Sequence, residues 1–178
     1  MGDATDIYVG NFTEGLKHLQ RYIVFGFGSS LFFFILVESR GLIESQGKGV
    51  TLPGGFLPAD PTLAGWIVLT ASFVSCSLAL FTLDDVERVA AQLRERREIL
   101  LAILTYPGIA TSSYLRPRLV ATLTPVILLA IALPTWLQGF RGLYRLALIG
   151  FFCGPYLRLA LTLRRPVGHY ELHLMTDG

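Results

Sequence analysis

The sequence predicts an all-α integral membrane protein with four transmembrane helices and both termini on the inner side. An amphipathic cytoplasmic helix is expected between helices two and three. Three observations lead there. The 178 residues are 52% hydrophobic and only 16% charged, against about 25% charged in a soluble domain, and a chain this short leaves much of its surface exposed. Mean hydropathy is +0.55, so lipid is the natural solvent for that surface. Four apolar runs are each close to the ~20 residues that a helix needs to cross a bilayer, and each is apolar on all sides, unlike the alternating strands of a barrel.

The elements follow in chain order. Residues 1–20 carry Asp3, Asp6 and Glu14 ahead of any apolar run, unlike a secretory leader, so the N-terminus is expected to be mature and cytoplasmic. Asn11 with Glu14 resembles a capping box, and Phe12, Leu16, Leu19 and Ile23 form one helical stripe. This lead-in is expected to lie in the membrane interface. The first span is placed at 19–38. The outer loop 39–62 contains "GKGVTLPGGFLPADP", whose Gly and Pro content marks irregular chain. The second span covers 63–83.

Residues 84–104 are expected to form the cytoplasmic helix, either extending the second span into the cytoplasm or bending onto the membrane surface. Asp84 and Glu87 have capping-box spacing, and Val86, Val89, Ala90, Leu93, Leu100 and Ile103 recur at helical spacing. The apolar tail ends at Pro107–Gly108, where proline breaks a helix, and is too short to span. A cytoplasmic partner could dock along this helix. The third span is 119–137 and the fourth 143–163, joined by "QGFRG", short enough to force an antiparallel hairpin. Together, residues 1–178 read as one four-helix transmembrane domain.

Lys and Arg set the orientation. With the N-terminus inside, the inner side holds Lys17, Arg21, Arg88, Arg94, Arg96, Arg97, Arg116, Arg118, Arg158, Arg164 and Arg165, and the outer side only Arg40, Lys48, Arg141 and Arg145. Eleven against four places both termini in the cytoplasm. A multi-pass protein of a bacterial inner (plasma) membrane is the expected location. The net charge of +2 is too small to suggest nucleic-acid binding.

Two groups of residues stand out as candidate sites. Small residues recur four apart within the spans: Gly26 and Ser30 in the first, Ser72 and Cys76 in the second, Gly150 and Gly154 in the fourth. Small faces allow the close backbone approach that holds membrane helices together, so these are candidates for helix packing or for a subunit interface. The second group is Arg158, Arg164, Arg165, Arg116 and Arg118, which could together hold an anionic lipid headgroup or another anion. Arg158 lies inside the fourth span, where a charge faces water or a partner; snorkelling to the inner interface, or pairing with Asp84 or Asp85, serves equally. Pro125, Pro134 and Pro155 mark the last hairpin as a place for a cavity.

The remaining chemistry is sparse. "HYELH" spaces His169 and His173 four apart but has Tyr170 where a zincin needs Glu. The only Cys, Met or His residues inside the spans are Cys76 and Cys153, an unsuitable set for haem. No catalytic set, metal site or cofactor is therefore expected. The leading expectation is a non-enzymatic membrane subunit that oligomerises or assembles within a larger membrane complex, with membrane lipids and other membrane chains as partners and no nucleic acid. The alternatives are a homo-oligomeric ion channel or pore gated through the cytoplasmic helix, and an inner-leaflet enzyme or carrier acting on an anionic lipid.

Overall fold

The structure is a computed structural model that describes residues 2–45, 50–51, 58–92, 109, 115–140 and 142–164. It is a bundle of four helices: α1 (Gly2–Ser45), α2 (Pro61–Gln92), α3 (Leu115–Trp136) and α4 (Leu143–Thr162). All four are long and apolar enough to cross a membrane, and the chain is a multi-pass membrane protein. Of the elements proposed from sequence, residues 93–108, Arg165 and the "HYELH" tail lie outside the described residues.

Around the bundle the helices neighbour one another in the order α1, α2, α4, α3. The most extensive contact is between α1 and α2. At about 1.5 Å rise per residue, α3 and α4 are about as long as the ~30 Å hydrocarbon core is thick. With 44 and 32 residues, α1 and α2 are longer than that and continue past the other pair as an antiparallel hairpin. Their register there is given by Gly15, whose added Cβ would meet Val86 at 2.7 Å. This end also carries Lys17, Arg21, Arg88, Arg116, Arg118 and Arg164 and is called the basic end below.

The overhanging hairpin corrects the interfacial placement of the N-terminal stripe and both cap assignments, and it agrees with a helix that extends the second span. The stripe Phe12, Leu16, Leu19 and Ile23 does not face the membrane interface but is buried, at 0–4% exposure. Its counterpart is the buried set Leu83, Val86 and Ala90 of α2. That set exists because α2 runs without a break through Asp84 and on to Gln92. The capping patterns at Asn11–Glu14 and Asp84–Glu87 are consequently interior to helices and start none. Two long apolar stripes facing each other outweigh local cap chemistry, since a cap contributes only ~1 kcal/mol.

The start of α2 is instead set at Asp60–Pro61. The Asp60 carboxylate accepts from the backbone N–H of Thr62 at 3.0 Å and of Leu63 at 3.2 Å, and Pro61 occupies the first helical position, where its missing N–H costs nothing. The preceding loop, expected to be irregular, contains a two-residue antiparallel ladder, Val50–Thr51 with Pro58–Ala59. The hairpin between α3 and α4 turns through Gly142 at φ 61°, a left-handed conformation that glycine adopts without penalty. The Arg145 guanidinium donates to the Pro134 carbonyl across this turn.

At the end of the bundle opposite the basic one, aromatic rings fill the centre. Trp136 packs edge-on against Phe33 and Trp66, with ring centroids 5.5 and 6.2 Å apart. Nearer the middle and at the surface, Phe73 stacks on Phe151 at 4.4 Å, the latter 56% exposed. Gly65 lies directly against the Trp136 ring, an approach no other residue type would allow. The outward surface is strongly apolar: Leu143, Tyr144, Leu146 and Phe81 are 67–83% exposed, a pattern suited to lipid and not to water.

Candidate functional site

Midway along the bundle, three hydroxyls from three helices form a closed polar knot. Ser30 Oγ (α1) and Ser72 Oγ (α2) are 2.8 Å apart. Ser72 Oγ and the Tyr156 hydroxyl (α4) are 2.7 Å apart, and Ser30 Oγ lies 3.3 Å from that same hydroxyl. All three residues are buried, at 0–2% exposure. Two main-chain carbonyls complete the set: Ser30 donates to Gly26 O at 2.8 Å, and Tyr156 to Ser72 O at 3.0 Å. Three protons thus find acceptors without a water molecule. Burial in an apolar bundle makes this necessary, because an unsatisfied hydroxyl costs several kcal/mol there.

The knot gathers four of the six candidate packing residues in one place. Gly26 is buried beneath the Tyr156 ring: a Cβ there would lie 2.7 Å from the hydroxyl oxygen. Ser30 and Ser72 belong to the knot itself, and Cys76, one turn further along α2, is 1% exposed. These small residues are therefore part of contacts within a single chain. Tyr156, which organises the knot, was not singled out by sequence reasoning. The available signal was a tyrosine deep in an apolar span, since buried tyrosine hydroxyls usually need a partner.

The other two behave oppositely. Gly150 and Gly154 are exposed on α4, and a Cβ added at either would meet nothing within 4 Å. Neither α1, α2 nor α3 approaches that face. Arg158 is exposed one turn beyond Gly154, so Gly150, Gly154 and Arg158 fall on one outward stripe of α4. Asp85, a suggested partner for Arg158, instead lies 3.9 Å from Arg88.

The expected arginine cluster is divided in the same way. Arg118 is 3% exposed and donates to the Leu163 carbonyl at 3.0 Å, binding the start of α3 to the end of α4. A guanidinium used in this manner is not presented to a headgroup. Arg116 and Arg164 are exposed at the same end. A recess of about 300 Å³ between α3 and α4 has Arg164 at its edge and Leu119, Leu123 and Leu157 along its wall. None of Pro125, Pro134 and Pro155 lines it, although all three sit inside continuous helices.

Of the α2 hydroxyls Thr70, Ser72, Ser75, Ser77 and Thr82, which could line a weakly polar path, Ser72 belongs to the knot and Thr70 is exposed. Ser75 donates to Ala71 O, Ser77 to Phe73 O and Thr82 to Leu78 O, at 2.8–2.9 Å. Among the described residues no group of three metal-ligating side chains occurs. The chain matches no family model, no curated protein and no solved structure.

Proposed function

We propose that the protein is a non-enzymatic membrane subunit that assembles with another membrane chain, a second copy or a different subunit, through the outward face of α4. The observation that carries this is the stripe Gly150, Gly154 and Arg158, which is exposed among the described residues. Small residues four apart let a second helix approach closely, and lipid-embedded helices associate through such packing. Arg158 continues the stripe toward the basic end, where it can snorkel to the interface or pair with an acidic group of a partner helix.

The eleven-to-four distribution of Lys and Arg supports an orientation with both termini in the cytoplasm, as in a bacterial inner membrane. The overhanging α1–α2 hairpin then projects from the inner face, where its charged residues Asp84, Asp85 and Arg88 are within reach of a cytoplasmic partner.

The test is the native mass in mild detergent. The wild-type protein is expected above its 19.6 kDa chain mass, or with a co-purifying chain. Gly154→Leu is expected to reduce it to the monomer without lowering its unfolding midpoint, because a Cβ at this exposed position meets nothing within 4 Å. A wild-type protein that is monomeric and alone overturns the proposal.

A further inference from the structure

We infer that the groove between α1 and α2 is a binding site for one anionic phospholipid, with Lys17 and Arg21 holding the headgroup and the apolar groove wall holding an acyl chain. This rests on a different face from the α4 stripe and does not depend on it. Two adjoining hollows make up the groove. The one nearer the basic end, about 910 Å³, is lined by Lys17, Gln20, Arg21 and Phe25 of α1 with Ser75 and Leu78 of α2. The second, about 510 Å³, continues from Val24 and Phe25 along Gly28 and Phe32 to Ile67 and Ala71.

The register explains the shape. Lys17, Arg21, Val24 and Gly28 follow one another at helical spacing and all are exposed, so two charges lead directly into an apolar channel. Gly28 deepens it, since a Cβ there would meet nothing within 4 Å. From Val24 to Phe32 the helix rises about 12 Å, close to the ~15 Å hydrocarbon thickness of one leaflet.

Charge complementarity selects the occupant. Among the described residues no carboxylate lies within ion-pair distance of either cation; Glu14, 3.8 Å from His18, lines a neighbouring hollow with both. A phospholipid of net negative charge, whose phosphate diester has no cation of its own beside it, satisfies both halves of the groove. A helix from a second copy would satisfy the apolar half and leave the cations uncovered. The site also differs from the arginines near α3 and α4, where Arg118 is taken up by Leu163 and the adjoining recess is a third of the volume.

The experiment is lipid retention by native mass spectrometry, using the full chain with phosphatidylglycerol or phosphatidylcholine of identical acyl chains. Each basic residue near an anionic surface strengthens binding about fivefold, so two give a preference for phosphatidylglycerol of about thirtyfold. The wild-type protein is expected to retain one phosphatidylglycerol with that preference. Lys17→Gln/Arg21→Gln is expected to bring the preference close to one, and Gly28→Leu, which fills the channel without a clash, to reduce retention of both lipids. Arg116→Gln/Arg164→Gln is expected to leave the preference intact. Equal retention of the two lipids by the wild type overturns the proposal, as does a preference that survives neutralisation of Lys17 and Arg21 or disappears with Arg116 and Arg164. Gly28→Leu that breaks an oligomer and leaves lipid retention unchanged assigns the groove to a second chain and overturns it as well.

Discussion

Gly26→Ala adds one methyl group at the most crowded point of the hydroxyl knot. Its carbon would lie 2.7 Å from the Tyr156 hydroxyl oxygen, while the next nearest atoms, Cε1 and Cζ of the same ring, are at 3.5 Å. Non-bonded heavy atoms are comfortable at about 3.5 Å, so the oxygen must move by roughly 0.8 Å. That movement stretches its contacts to Ser72 Oγ and Ser72 O, now 2.7 and 3.0 Å. One extra methylene in a packed core costs typically about 1–3 kcal/mol, and each interhelical hydrogen bond in a membrane protein about 0.6 kcal/mol. A destabilisation of about 1–3 kcal/mol is expected.

Tyr156→Phe removes the oxygen that causes the clash. Alone it is expected to cost about 0.6 kcal/mol, with an upper limit near 1.7 kcal/mol. Ser72 can still donate to Ser30, and Ser30 to Gly26 O, so no hydroxyl proton is left without an acceptor. In the Tyr156→Phe background the new methyl group meets only ring carbons at ordinary contact distance, and Gly26→Ala should cost almost nothing. The coupling between the two substitutions is then about 1–3 kcal/mol, with the double variant more stable than additivity allows. The measurement is unfolding in mixed micelles by titration with denaturing detergent, followed by tryptophan fluorescence, for all four proteins of the cycle. Additive costs would refute the contact and with it the position of α4 against α1.

Two further perturbations test other joints. Arg118→Met removes the bond to the Leu163 carbonyl and should destabilise by about 1–3 kcal/mol, with faster amide exchange in the last turn of α4, whereas Arg116→Met at an exposed position should stay within about 0.5 kcal/mol. Asp60→Ala removes the cap of α2 and should cost about 1 kcal/mol, read as faster exchange of the Thr62 and Leu63 amides with the rest of the bundle unchanged.

How much of this was legible in the sequence depends on how far each signal reaches. The four spans are visible because lipid demands apolar residues on every side of a helix, a demand that water never makes of a chain this short. Helix ends were harder. Asn11–Glu14 and Asp84–Glu87 have cap spacing, yet both lie inside helices, because whether a cap acts depends on what the flanking residues pack against. The pairing of Phe12, Leu16 and Leu19 with Val86 and Ala90 is a fact about two distant segments. Asp60–Pro61, an acidic cap followed by proline, was available as a start signal but was hidden within a loop rich in glycine and proline. Within the candidate sites, spacing identified Ser30 and Ser72 as contact residues but could not show that Tyr156 joins them. Arg118 and Arg116 are two residues apart and look alike in sequence. Being some 200° apart around the helix, one turns inward to Leu163 and the other outward.

The glycines show why a motif names a possibility of contact and not its partner. Gly26 and Gly65 are filled by side chains of the same chain, Tyr156 and Trp136. Gly28, two residues from Gly26, and the pair Gly150 and Gly154 are open. Two residues of helical offset are enough to turn one glycine to the core and the next to the membrane. What distinguishes the open ones is the charge beside them. Gly28 lies between apolar walls with two cations at one end, the form of a single lipid with its headgroup. Gly150 and Gly154 form an exposed stripe that continues directly into Arg158, and on the reading proposed above it is a surface for another helix. Since no hydrophobic effect drives helices together within lipid, such shape and charge differences are what remains to select a neighbour. On the two proposals above, the same residue type admits a lipid on one side of the bundle and a protein on the other.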